Sequence, residues 1–190
     1  MKAQQTVRVL GAALALGLIA GGCGGGGAGS SNRVTVSGPA NFPVANGGGP
    51  VANADFIIID PDRPTDPLTS SVSTIDGRYF GVIRKTVSVA VILSGNTAGS
   101  AIRVSGLIPA LTNDNGKALD GHTDIACEAG VSAVTDGSIG GDDLDADRIA
   151  NLEDAAVRFV PTTDFTKPAS VTAAAQQVRA LTDDGAHPAP

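Results

Sequence analysis

An alternation of apolar and polar residues runs, with interruptions, from Arg33 to Ile108 and limits the first half of the chain to β structure. Arg33-Val34-Thr35-Val36-Ser37-Gly38 places Val34 and Val36 on one side and Thr35 and Ser37 on the other, the period of a half-buried strand. Residues 54–60 form a β-branched run around Phe56, Ile57, Ile58 and Ile59, broken by Pro61. Residues 62–67 (Asp-Arg-Pro-Thr-Asp-Pro) read as a polar connection, because a proline has no N–H to give to a ladder. Residues 71–75 alternate again. Asp76-Gly77 then marks a tight turn, since such turns demand the positive φ that glycine tolerates. Residues 78–83, 86–93 and 101–108 supply three further strands. Short strands at this spacing predict an antiparallel sandwich or barrel. Aromatic residues make up 3 % of the chain and Trp is absent, so the core must be built from Val, Ile, Leu and Ala. Stacking platforms for sugars or bases are correspondingly scarce.

Beyond Pro109 the period changes. Residues 109–122 form a linker rich in turn residues (Asn113, Asp114, Asn115, Gly116, Asp120, Gly121). Thr123 is placed to cap a helix running from Asp124 to Ala133 and stopping at Asp136-Gly137. Ile149, Leu152, Ala156 and Phe159 recur at helical spacing before Pro161, and Asp142, Asp143 and Asp145 crowd the start of that helix. A third helix runs from Pro168 through Val171, Ala174, Ala175, Val178 and Leu181 to Gly185. The expected class is α+β: an N-terminal antiparallel β-sandwich over residues 33–108, then a small acidic helical C-terminal appendage over 123–185 and a tail at 186–190. The appendage packs on itself or on the sandwich. Charge divides along the same line, with seven basic and six acidic residues in 23–119 against four and thirteen in 120–190.

The N-terminus reads as an address. Lys2 and Arg8 precede an apolar run from Val9 to Ala20, which is shorter than the ~20 residues a bilayer span needs. Ile19-Ala20-Gly21-Gly22-Cys23 resembles the lipobox of bacterial lipoproteins, with Ala20 where that family most often has Leu. The resemblance implies that residues 1–22 are a signal peptide, that the Cys23 thiol carries diacylglycerol, and that the new amine is acylated too. Several chains hold a protein stably, at ~0.8 kcal/mol per buried CH₂. Residues 23–32, rich in Gly and Ser, have the composition of a flexible tether. Loss of residues 1–22 would move the net charge from −6 to −8, which argues against nucleic acid as a partner. The expected location is the cell envelope, lipid-anchored, on the outer membrane's periplasmic or surface face. With Cys23 acylated, Cys127 has no intramolecular partner and is expected to be buried.

Within the first half, three stretches carry a second resemblance. They are Gly49-Pro50-Val51-Ala52-Asn53-Ala54-Asp55-Phe56-Ile57, Thr74-Ile75-Asp76-Gly77-Arg78-Tyr79-Phe80 and Val87-Ser88-Val89. Over residues 33–95 the chain resembles the carboxypeptidase regulatory-like family, with Asp-Gly-x-(Tyr/Phe) as the most specific part. That resemblance implies a transthyretin-like (prealbumin-type) seven-stranded sandwich. It also implies a mostly non-catalytic role in stabilising, spacing or binding, including on bacterial surfaces. The expected partner is an envelope protein or polysaccharide.

Candidate chemistry is sparse. Asp120-Gly121-His122-Thr123-Asp124 sets His122 between two carboxylates, a pattern that suits a metal half-site or a general base in a hydrolase. The other histidine, His187, lies in the tail. Asp136, Asp142 and Asp143 resemble the back half of an EF-hand loop, the pattern of a calcium-responsive module, but the first and third ligand positions fall on Ser132 and Val134. Asp60, Asp62 and Asp66 form another acidic loop. No nucleophile-elbow, zinc-protease or Cys-x-x-Cys motif is present, and no cofactor is implied. The leading expectation is a non-enzymatic structural or binding module anchored at Cys23.

Overall fold

A computed structural model describes residues 33–84, 88–97, 100–110 and 114–183. The signal peptide, the tether, Cys23, Gly185 and His187 lie outside the described residues. Chain order is β1 (Arg33–Pro39), β2 (Asp55–Asp60), β3 (Arg63–Val72), β4 (Arg78–Arg84), β5 (Val89–Thr97), β6 (Ser100–Ile108), β7 (Asp114–Asn115), α1 (Gly121–Thr135), α2 (Ala146–Ala156) and α3 (Pro168–Asp183). The class is α+β. One sheet has the order β4-β1-β7 and the other β3-β2-β5-β6; every pairing is antiparallel except β1 with β7.

Register assigns the faces. Side chains directly opposite one another across a ladder share a face. Phe56 opposes Leu93, which opposes Val104; Ile58 opposes Val91, which opposes Gly106. Phe56 meets Tyr79 of β4, ring centroids 5.8 Å apart, so this face looks at the three-stranded sheet. Gly81 lets the sheets approach: a Cβ there would lie 2.9 Å from Ile58 Cδ1. The opposite face carries Ile57, Ile92, Arg103, Ser105 and Leu107, and α1 lies on it. Val89, Ala90, Val91, Ile92 and Leu93 are consequently all buried, because β5 is covered on both sides. One hydrophobic cluster runs from Val34 in β1 through β5 to Val178 in α3. Each such fully buried aliphatic contributes roughly 1.5–3 kcal/mol.

Tyr79 illustrates how the sheets are locked. Its ring is buried and its hydroxyl donates to the Lys117 carbonyl at 2.7 Å, satisfying the one polar atom it takes inside. The predicted turn is present, with Gly77 at φ 72° and its N–H donating to the Thr74 carbonyl.

Four local expectations need correction. The proline-rich stretch 62–67 is part of β3, not a connection between strands. β3 is an edge strand that bonds on one side only, so prolines are tolerated, and its ladder with β2 slips register on both sides of Ile59. The strand expected over 71–75 stops at Val72, leaving Ile75 in the turn and exposed. The linker 109–122 contributes β7, two residues pairing in parallel with Val36 and Ser37. Finally, α1 starts three residues before the expected Asp124, because the cap is Asp120 and not Thr123.

α2 and α3 form where expected, but α2 ends at Ala156, leaving Phe159 beyond it, and Leu181 of α3 is exposed. Ile149, Leu152 and Ala156 are buried on α2, whose cap Asp145 accepts from the Arg148 N–H. Val171, Ala174, Ala175 and Val178 are buried on α3. α1 is buried on most of its circumference, being wedged between β6 and the other two helices.

Candidate functional site

The first turn of α1 is where the sequence placed its most chemical residues. Asp120 has extended backbone and folds its carboxylate over the helix start. Its Oδ1 accepts from the N–H groups of His122 (2.9 Å) and Thr123 (3.4 Å), while Thr123 Oγ1 accepts from the Asp120 N–H (2.9 Å). This is a capping box, satisfying donors that a helix terminus otherwise leaves unpaired. The same Oδ1 lies 2.6 Å from His122 Nδ1.

The pair titrates accordingly. The hydrogen bond that His122 donates to Asp120 raises the His122 pKa and outweighs the partial burial that opposes it. Burial acts to raise the Asp120 carboxyl, but hydrogen bonds from His122 and the two N–H groups bring it below its ordinary value. With Nδ1 engaged, the neutral imidazole presents Nε2 as its acceptor. A second ion pair, Lys117 Nζ to Glu153 at 2.6 Å, lies near enough for both charges to act on His122 in opposite senses.

The dyad opens into a cleft of about 390 Å³, lined by Phe42, Val44 and Val160 together with the backbone of Gly48, Gly49 and Gly121. Asn41 is the remaining polar side chain of the lining, which includes no hydroxyl or thiol among the described residues. Chemically, the arrangement can accept a proton at Nε2 or hold a small ligand by one or two hydrogen bonds.

Asp124 does not join His122. It turns into the protein, where its Oδ1 meets Arg103 Nε (3.2 Å) and accepts from Ser105 Oγ. Burial raises its pKa against the opposing pull of Arg103 and Ser105. Arg103 also reaches Glu128 at 2.8 Å, and its two carboxylates, Asp124 foremost, raise its own pKa. Cys127 lies in the same layer, buried, its thiol pushed up to about 12 by loss of solvent. Arg103, Ser105 and Glu128 are the partners that sequence reasoning missed. No local pattern joins β6 to a helix some twenty residues on.

The remaining candidates are dispersed. Asp136 pairs with Arg179 at 2.7 Å and accepts from Ser138, and these contacts hold its carboxyl at about 2. Asp143 accepts from the Gly140 N–H, and Asp142 is exposed. Asp60 accepts from the Asp62 N–H, and Asp62 from the Gly141 N–H 79 residues on. Among the described residues no three of His, Cys, Asp and Glu converge to hold a metal ion. No helix among them is long and apolar enough to cross a membrane. Comparison with known proteins finds no matching family model, curated protein or solved structure.

Proposed function

We propose that this chain is a bacterial lipoprotein, cut before Cys23 and held in the envelope membrane by acyl chains on that residue. The observation that carries the reading is the run Ile19-Ala20-Gly21-Gly22-Cys23 after a short apolar segment and before a Gly/Ser tether. The folded unit is a non-enzymatic structural or binding module of transthyretin-like, carboxypeptidase regulatory-like type. Seven strands among the described residues, in facing sheets of three and four, support that assignment. The Asp120 carboxylate is engaged as a helix cap, a structural use that supports this reading. Its partner is an envelope protein or polysaccharide. Metabolic labelling with a fatty-acid analogue tests the anchor: the native chain takes up label and fractionates with membranes, and Cys23→Ser abolishes the labelling. Unchanged labelling and fractionation of Cys23→Ser would overturn it.

A second reading is favoured by one observation, the His122–Asp120 dyad at the mouth of an apolar cleft. In that reading His122 Nε2 is a general base that activates water in a hydrolase, with Asp120 fixing the tautomer. A panel of ester and amide substrates assayed against His122→Ala decides it: turnover that vanishes in the variant supports the hydrolase, and no turnover by the native protein removes it.

A further inference from the structure

The outer face of the β1–β4 ribbon displays large apolar side chains to solvent. Along the β1–β4 ribbon, Thr35 opposes Val82, Ser37 opposes Phe80 and Pro39 opposes Arg78, while Arg33 begins the strand. The inner face of the same ribbon carries Val34, Val36, Tyr79 and Ile83, all buried. Phe80 and Val82 are therefore displayed outward, 62 % and 46 % exposed. Leu68, from the edge strand β3, adds a third exposed apolar side chain. It lines a depression of about 380 Å³ with Arg33, Val82 and Ile83.

Charge on this face runs against the rest of the protein. Arg33 and Arg78 lie at the two ends of the ribbon, and among the described residues neither forms an ion pair with a carboxylate. None of the outward residues Thr35, Ser37, Phe80 and Val82 is acidic, in a chain whose net charge is −6. Exposed apolar side chains flanked by cations suit an interface in which the apolar parts enter the headgroup boundary and arginines meet anionic headgroups.

The position of the face supplies the occupant. Arg33 is both the first residue of β1 and part of the depression, and it follows Cys23 by ten residues. Ten residues reach at most roughly 33–36 Å, and the seven-residue strand is about 23 Å long. An acylated Cys23 therefore keeps the whole ribbon within reach of the surface that holds it.

We propose that the outer face of the β1–β4 ribbon, with Phe80 and Val82 between Arg33 and Arg78 and Leu68 beside Arg33, rests on an anionic lipid surface. The inference rests on the lipid-anchor reading and adds an orientation to it: this sheet faces the membrane and the helical layer faces away.

Because the chain has no Trp, a single substitution makes a local probe. The acylated protein is reconstituted into vesicles of phosphatidylethanolamine and phosphatidylglycerol, carrying either Phe80→Trp or, as a control on an exposed site of the helical layer, Val157→Trp. Both sites are exposed, so folding is preserved. The expected result is a blue-shifted indole emission from the Phe80→Trp protein, quenched by brominated lipid, with the emission of the Val157→Trp protein unchanged. Arg33→Glu and Arg78→Glu each weaken the contact about 5-fold or more, as expected for a cation near an anionic surface. Phosphatidylcholine vesicles give less quenching. If the protein floats with the vesicles but the Phe80→Trp probe emits and resists quenching as the Val157→Trp control does, the orientation is wrong and the anchor stands. A shift in the Phe80→Trp emission only on addition of envelope proteins would likewise overturn the lipid contact in favour of a protein one. If the chain does not float, the anchor fails and this inference with it.

Discussion

Arg103→Leu is the perturbation that most directly tests how the helical layer is fixed to the sheets. It removes the guanidinium beside Asp124, whose side chain is 2 % exposed and would keep only Ser105 as a hydrogen-bond partner. Breaking a buried ion pair from one side costs about 3–5 kcal/mol. The lower figure applies here, because the Arg103 side chain is 28 % exposed and water already screens part of the pair. At about 3 kcal/mol, and with a urea slope of roughly 2 kcal/mol/M, the unfolding midpoint falls by about 1.5 M. Far-UV circular dichroism reads this without tryptophan. The orphaned carboxylate escapes its penalty by taking a proton, so its folded pKa rises further above the unfolded value of about 3.9. A raised acid pKa means that the variant is most stable at low pH and loses stability as pH rises between those two values. The deficit against the native protein should therefore be larger at pH 8 than at pH 5. The double variant Arg103→Leu/Asp124→Leu should recover about half of the loss, since an apolar pair needs no compensating charge. A midpoint shift below about 0.3 M, or a double variant no better than the single one, would refute the assignment of this pair as the joint between β6 and α1.

Asp120→Ala removes the α1 cap and should cost about 1 kcal/mol; in an NMR titration the His122 pKa should fall towards its ordinary value as the hydrogen-bond partner disappears. Since the native His122 pKa is raised, its contribution to stability is fully present below about pH 6.5 and lost as pH rises through the folded value; His122→Gln should flatten that slope in urea melts. Gly130→Val should destabilise by about 1–3 kcal/mol, because a Cβ there already comes within 2.6 Å of Leu107 Cδ1, and a thermal melt measures it. The Cys127 thiol, buried and with its pKa pushed up to about 12, should react with a thiol reagent only after unfolding; rapid reaction in the native state would contradict its placement.

Legibility in the sequence followed the range of the interactions. α2 and α3 could be read because Ile149, Leu152 and Ala156, and Val171, Ala174, Ala175 and Val178, repeat a local period that burial then enforces. β3 could not, because Pro64 and Pro67 are compatible with a strand only at a sheet edge, and edge position is a property of the whole topology. β7 is two residues held by a parallel partner some 78 residues earlier, with no pattern of its own. The α1 cap lies three residues before the expected Thr123 because Asp120 and Thr123 are both capping types; in the structure each takes one half of the same box. At the candidate site, Asp120 and His122 were found together, but Asp124 was separated by geometry that the spacing already contained. Two residues apart on a helix is about 200° around the axis, so side chains at 122 and 124 cannot face each other. That rotation carries Asp124 into the interior, where only the tertiary fold could supply Arg103.

The placement of β1 has a mechanical consequence. It is the central strand of its sheet, bonded to β4 along seven residue pairs and to β7 on the other side, and the chain from Cys23 enters it at Arg33. Under the anchoring proposed above, a pull at Arg33 against a load held at the far end of the sandwich would run along the strand axis. The ladder bonds then bear the force in parallel and must yield together, whereas an edge hairpin pulled across its strands opens one bond at a time. A domain anchored as proposed would resist extraction through the rate of forced unfolding, which its equilibrium stability does not set.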